Sequence, residues 1–154
     1  MRTIALSKGW AFDTSAKLTR ASAKSILISP FAGCQRTPAT APRVALIRYL
    51  SLGAPSPGDL DIPERDAIFD AGWPALGLVQ HVPLPSWQAN SQNGTTHGQA
   101  AARHAQLIEA PQGTDITPDI EGLGSQGAVA YDYLCYWADA VRYLGASVDK
   151  LTAD

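Results

Sequence analysis

The run Val44-Ala45-Leu46-Ile47-Arg48-Tyr49-Leu50 is almost continuously apolar, and it constrains the fold more than any other stretch. Antiparallel strands with one wet face alternate apolar and polar residues. An unbroken run belongs to a parallel strand covered on both faces. Parallel neighbours cannot be joined by a tight hairpin, so a crossover, usually a helix, is expected between them.

The rest of the chain repeats that order. Gly9-Trp10-Ala11-Phe12 reads as a first strand that delivers Asp13, and Leu18 to Ile28 as a short helix or irregular segment. Pro30 to Pro42 reads as a loop. Asp61-Ile62-Pro63-Glu64 has capping-box character, opening a helix that runs to about Ala71 and stops at Gly72. Ala75 to Gln80 is the third strand, followed by a long polar loop from His81 to Gly98. Thr96-His97-Gly98-Gln99 resembles a second capping box for a helix over Gln99 to Ala110. Thr114 to Ile120 is the fourth strand. Tyr133, Tyr136, Trp137, Ala140, Val141 and Leu144 recur at helical spacing, with Gly145 as the stop. The expected class is α/β, TIM-barrel-like, with about four β/α units of parallel sheet: a half or truncated barrel. The 154 residues are expected to form a single domain.

Composition excludes several functions. The net charge is −2 with no basic run, so no nucleic-acid face is expected. No apolar stretch approaches the roughly 20 residues of a membrane span. Met1 to Trp10 does not read as a secretory signal. The expected location is cytoplasmic as made, with release by lysis or carriage in a virion as the routes out. Cys34 and Cys135 have no metal-type spacing and are expected as free thiols. There is no GxGxxG, no P-loop and no metal-ligand cluster, so neither cofactor nor metal is expected.

The residues that bear chemistry are acids at strand ends. Asp119-Ile120-Glu121 places two carboxylates at i and i+2, on one face of a strand and about 6.5–7 Å apart along it. Asp13 ends strand one in the same manner. Like charges this close disfavour joint ionisation, a property that acid/base chemistry on a glycosidic bond uses. The plain structural alternative is that Asp13-Thr14-Ser15 caps a helix and that Asp119 and Glu121 are solvated. The loop from Pro83 to Asn93 offers Trp87, Gln88 and Asn90, an indole flanked by amides that suits a sugar; the alternative is a loop anchored by one buried Trp. Arg48 and Gln80, at the ends of strands two and three, complete the candidate binding set, with an Arg48–Asp13 ion pair expected. His81 could titrate usefully, though a lone His after a strand reads first as a satisfied surface or core residue, and His97 and His104 read as helix residues.

Gly9-Trp10-Ala11-Phe12-Asp13-Thr14-Ser15, Ile47-Arg48-Tyr49-Leu50, Phe69-Asp70-Ala71-Gly72, His97-Gly98-Gln99-Ala100-Ala101 and Asp119-Ile120-Glu121, in that order, resemble the opening half of the glycoside-hydrolase-like TIM barrels related to the family 25 lysozymes. The resemblance implies a peptidoglycan-directed, cell-wall-cleaving enzyme, phage-encoded given the missing signal. It implies Glu121 as general acid, Asp119 as the group that stabilises developing oxocarbenium charge, and Asp13 as base or positioning carboxylate. The chain departs from the family in lacking strands five to eight and in carrying Pro118 inside the acidic strand. Two rivals stand beside it. One is a non-catalytic, carbohydrate- or receptor-binding component of an assembly such as a virion, its open sheet edges covered by a protein partner or a second copy. The other is an open α/β domain complete as it stands, with its ligand at the carboxyl ends of the strands.

Overall fold

A computed structural model of the chain describes residues 10–28, 43–88 and 90–151. The loop expected over Pro30 to Pro42, Cys34 and the segment before Trp10 lie outside the described residues. Nine elements follow in order: β1 (Trp10–Thr14), α1 (Arg20–Ile28), β2 (Arg43–Leu50), α2 (Ile62–Asp70), β3 (Leu76–Val82), α3 (Leu84–Gln88), α4 (Asn93–Leu107), β4 (Asp115–Ile120) and α5 (Gly127–Leu151). The strands form one four-stranded, all-parallel sheet in the order β1-β2-β3-β4. The fold is therefore α/β with four β/α units in an unclosed sheet, as half of a barrel would have.

Sequential strand order with crossovers of one hand puts the connecting helices on one side of the sheet. Burial agrees. Leu46, Arg48 and Leu50 of β2 and Leu78, Gln80 and Val82 of β3 are buried, and the apolar members of this row pack with Ile68, Trp87, Ala101, Tyr133 and Trp137 from the helices. The alternate row, Ala45, Ile47 and Tyr49 with Gly77, Val79 and His81, is only half-buried. Here the structure departs from the sequence reading: among the described residues, helices cover one face of the apolar run of β2, and none covers the other.

The ends of the elements follow local chemistry. Thr19 and Ser22 cap α1 reciprocally, Ser22 N–H donating to Thr19 Oγ1 at 3.2 Å and Thr19 N–H to Ser22 Oγ at 2.8 Å. Asp61 caps α2, its Oδ1 accepting from Glu64 N–H at 3.0 Å. Glu64 does not complete the expected box, because its carboxylate is buried on Arg48. The chain leaves α2 through Gly72 at φ 99°, a left-handed conformation that glycine adopts without cost.

Three boundaries differ from expectation. The His81–Gly98 loop is mostly structured: β3 extends to Val82, α3 follows, and α4 starts at Asn93, not at the Thr96 box. Gly94 and Gly98, read from sequence as parts of a loop and of a capping box, lie inside α4 and are buried against α5. A Cβ at Gly94 would stand 2.3 Å from the Tyr133 carbonyl oxygen, and one at Gly98 2.4 Å from that of Trp137. Backbone-on-backbone packing, not helix propensity, selects glycine there. Likewise α5 continues through Gly145 to Leu151.

Pro118 is accommodated because β4 is an edge strand. Glu121 N–H donates to the Val82 carbonyl across the β3–β4 ladder at 3.1 Å. Parallel strands alternate the direction of successive N–H groups, so those of residues 119, 117 and 115 face β3. The position of Pro118 faces outward, where no ladder donor is needed.

Candidate functional site

On the face that no described helix covers, each strand contributes the side chain of its penultimate residue: Asp13 from β1, Tyr49 from β2, His81 from β3 and Asp119 from β4. Glu121 follows β4 by one residue. Residues of alternate parity share a face, and the ladder brings Ile47 beside Asp13, Val79 beside Tyr49, and Asp119 beside His81. The result is a row of ionisable groups across the carboxyl ends of a parallel sheet, where such folds bind ligands.

The row is joined by contacts. Tyr49 donates its phenolic hydrogen to Asp13 Oδ2 at 2.8 Å. His81 lies between the other two acids, Nδ1 3.7 Å from Asp119 Oδ2 and Nε2 3.6 Å from Glu121 Oε2. These last are contacts longer than hydrogen bonds. With side chains 43% (His81), 51% (Asp119) and 58% (Glu121) exposed, they add little to stability. The hydrogen bond to Asp13 holds the Tyr49 phenol above its ordinary pKa, assisted by partial burial and by the charges of Asp13, Asp119 and Glu121. One hydroxyl thus senses all three acids.

The structure sets Asp119 and Glu121 beside His81, and Asp13 on Tyr49, in one row; β1 and β4 are opposite edges of the sheet with two strands between them, so Asp13 does not lie on a strand adjacent to the acidic pair. It does not bring the expected binding residues to them. Arg48 is fully buried on the helix-covered face and pairs with Glu64, its Nε 2.9 Å from Oε1 and its Nη2 3.2 Å from Oε2. The expected pair with Asp13 is absent because adjacent strand residues point to opposite faces, and Tyr49 takes the Asp13 side. Gln80 is buried for the same reason. Its amide donates to the carbonyls of Ser51 (2.9 Å) and His97 (3.0 Å) and accepts from Trp137 Nε1 (2.7 Å), so its hydrogen-bonding groups are engaged within the protein.

Trp87 is fully buried and donates from Nε1 to the Glu121 carbonyl at 2.9 Å, so it anchors the loop and presents no stacking face. Gln88 is exposed at the end of α3. Asn90 is exposed too, and its Oδ1 accepts from Gln92 N–H at 2.9 Å in a turn. His97 and His104 are structural as read. His97 Nδ1 meets the Tyr133 hydroxyl at 2.7 Å; burial pushes the imidazole pKa down and the phenol pKa up, so each stays neutral. His104 Nε2 lies 3.0 Å from the Leu60 carbonyl and ties α4 to the segment before α2.

Two members of the row were not singled out from sequence, Tyr49 and His81. The signal for His81 was available: Leu76, Leu78 and Val82 keep a period of two past Gln80, which leaves His81 in the opposite row with Gly77 and Val79. Tyr49 could be assigned only once the register showed which of the adjacent polar residues, Arg48 or Tyr49, faced Asp13.

Among the described residues, no three His, Cys, Asp or Glu side chains are grouped so as to hold a metal ion, and no helix is long and apolar enough to cross a membrane. Cys135 is a free, exposed thiol.

Fold and site together define a class: an open, all-parallel α/β sheet with an acidic row at its carboxyl ends. Comparison of the chain with family models, with curated proteins and with solved structures finds no match.

Proposed function

We propose that the chain is a peptidoglycan-directed glycoside hydrolase of lysozyme type, with its chemistry in the row Asp13–Tyr49–His81–Asp119–Glu121. The observation that supports this most is the alignment of three carboxylates in one row at the carboxyl ends of the strands, with Tyr49 bonded to Asp13 and within the field of Asp119 and Glu121. Two carboxylates flanking a glycosidic bond suffice for its hydrolysis. Glu121 gives a proton to the leaving glycosidic oxygen as the C1–O bond breaks. Asp119 faces the positive charge that develops on the ring. Asp13, held by Tyr49, takes a proton from the water whose oxygen adds to C1.

The test is release of reducing ends from purified cell walls. Wild type releases them, and Glu121→Gln lowers the rate by about 10²–10⁴-fold, the usual contribution of a general acid. A folded wild-type protein inert on walls of several peptidoglycan chemistries overturns the reading.

A second reading has its own support. Parallel sheets are ordinarily covered on both faces, and here Ile47 and Val79 on the outward row are only half-buried. A non-catalytic, carbohydrate-binding component of a larger assembly would cover that row with a partner. Light scattering separates the two: a monodisperse monomer at all concentrations, with wall-cleaving activity, excludes the partner requirement.

A further inference from the structure

Glu121 sits where a side chain is hardest to hold. It lies one residue past β4, more than half exposed, and is followed by Gly122 at φ 73° and Gly124 at φ 45°, where the chain turns away from the sheet. Its backbone is nevertheless fixed at both polar atoms. The N–H donates to the Val82 carbonyl at 3.1 Å, and the carbonyl accepts from Trp87 Nε1 at 2.9 Å. Gly122 lies directly under Leu84: a Cβ there would come within 3.1 Å of the Leu84 Cβ. The segment that clamps this peptide is the one that carries His81, whose Nε2 is 3.6 Å from the Glu121 carboxylate.

We infer that Trp87 is a positioning residue for Glu121: its indole N–H fixes the Glu121 peptide so that the carboxylate stays beside His81. The inference rests on the hydrolase reading for its consequence in catalysis, but the coupling itself does not. Trp87 is fully buried, so its N–H has no solvent to turn to, and an unmade bond there is expensive. The indole is thereby committed to the Glu121 carbonyl. The β3–α3 segment thus holds the Glu121 backbone and carries the His81 ring beside its carboxylate. Catalytic geometry is sensitive on this scale, a misplacement of about 1 Å costing roughly 10²-fold in rate.

The experiment uses the full chain with ¹⁵N-labelled histidine, in four forms: wild type, Glu121→Gln, Trp87→Phe and the double variant. A further form carries β-(3-benzothienyl)alanine at position 87, which keeps the shape of indole and lacks its N–H, in case Trp87→Phe does not fold. In wild type, Glu121→Gln moves the His81 ring resonances. Without the indole N–H, the His81 resonances move on their own account, and the further response to Glu121→Gln shrinks to less than half. An equal response in both backgrounds, or no response in either, overturns the inference. On cell walls the N–H-deficient forms lose about tenfold in kcat at a KM within twofold of wild type. A raised KM at unchanged kcat would make Trp87 a substrate contact and overturn the positioning role. Wild type inert on walls with the NMR coupling intact would sink the hydrolase reading and leave the coupling standing.

Discussion

Replacing Glu64 by Gln tests the framework beneath the site. Arg48 and Glu64 are 0% and 1% exposed in their side chains. Glu64 Oε1 accepts from Arg48 Nε at 2.9 Å and from Leu18 N–H at 2.7 Å, while Oε2 accepts from Arg48 Nη2 at 3.2 Å. The guanidinium also donates to the carbonyls of Thr14 and Gly58. Removing one partner of a buried pair costs about 3–5 kcal/mol, because the other charge is left uncompensated. Glutamine keeps one acceptor oxygen, which places the loss near 3 kcal/mol, a large share of the 5–15 kcal/mol typical of a domain. For a chain of this size that lowers Tm by about 6–12 °C. Circular dichroism through thermal and urea unfolding reads it directly. The apolar double variant Arg48→Met/Glu64→Leu removes both charges but leaves the Leu18 N–H and the Thr14 and Gly58 carbonyls without partners, so it recovers only part of the loss. A cost below about 1 kcal/mol for Glu64→Gln, or a larger one for Asp13→Asn, would refute this reasoning and return Arg48 to Asp13.

Three further outcomes are expected. Gly98→Ala destabilises by about 1–3 kcal/mol in urea unfolding, although alanine is the better helix former, because the new methyl meets the Trp137 carbonyl at 2.4 Å; a gain in stability would show that α4 and α5 do not approach so closely. The Lys17 ammonium, 2.6 Å away, holds the Asp61 carboxyl below its ordinary range, against a smaller opposing effect of burial. A depressed folded pKa gives stability that is present above about pH 4 and lost as the pH falls through the folded value, so Asp61→Asn should flatten the acid limb of urea midpoints; equal slopes would refute the pair. Asp13→Asn should bring the Tyr49 phenol back toward the ordinary range, read by NMR of labelled tyrosine, since the Asp13 hydrogen bond is the main cause of its rise; an unmoved titration would deny the contact.

The alternation of strands and helices was legible because period-two and 3.6-residue patterns are local. So was the shared face of Asp119 and Glu121, which follows from the pleat alone. What the chain could not disclose was register. Arg48 and Tyr49 are adjacent, and period two sends one to each face without saying which, so Arg48 was paired with an acid it never meets. Gln80 was read as a ligand contact and the core claimed it, while of the two readings of Trp87, sugar contact or buried loop anchor, the second holds: an indole and an amide at a strand–helix junction can satisfy buried backbone as well as a ligand. Gly94 was read as part of a loop, and Gly98 and Gly145 as helix punctuation. At Gly94 and Gly98 α5 approaches too closely for any side chain, and that neighbour lies some forty positions further along the chain.

The pyrrolidine of Pro118 makes the two borders of the sheet unequal. A strand arriving alongside β4 meets a ring where it needs a hydrogen, whereas β1 has no proline in its border. Growth of the sheet by stacking copies head to tail would have to use both borders at once, so one imino acid works against fibre formation.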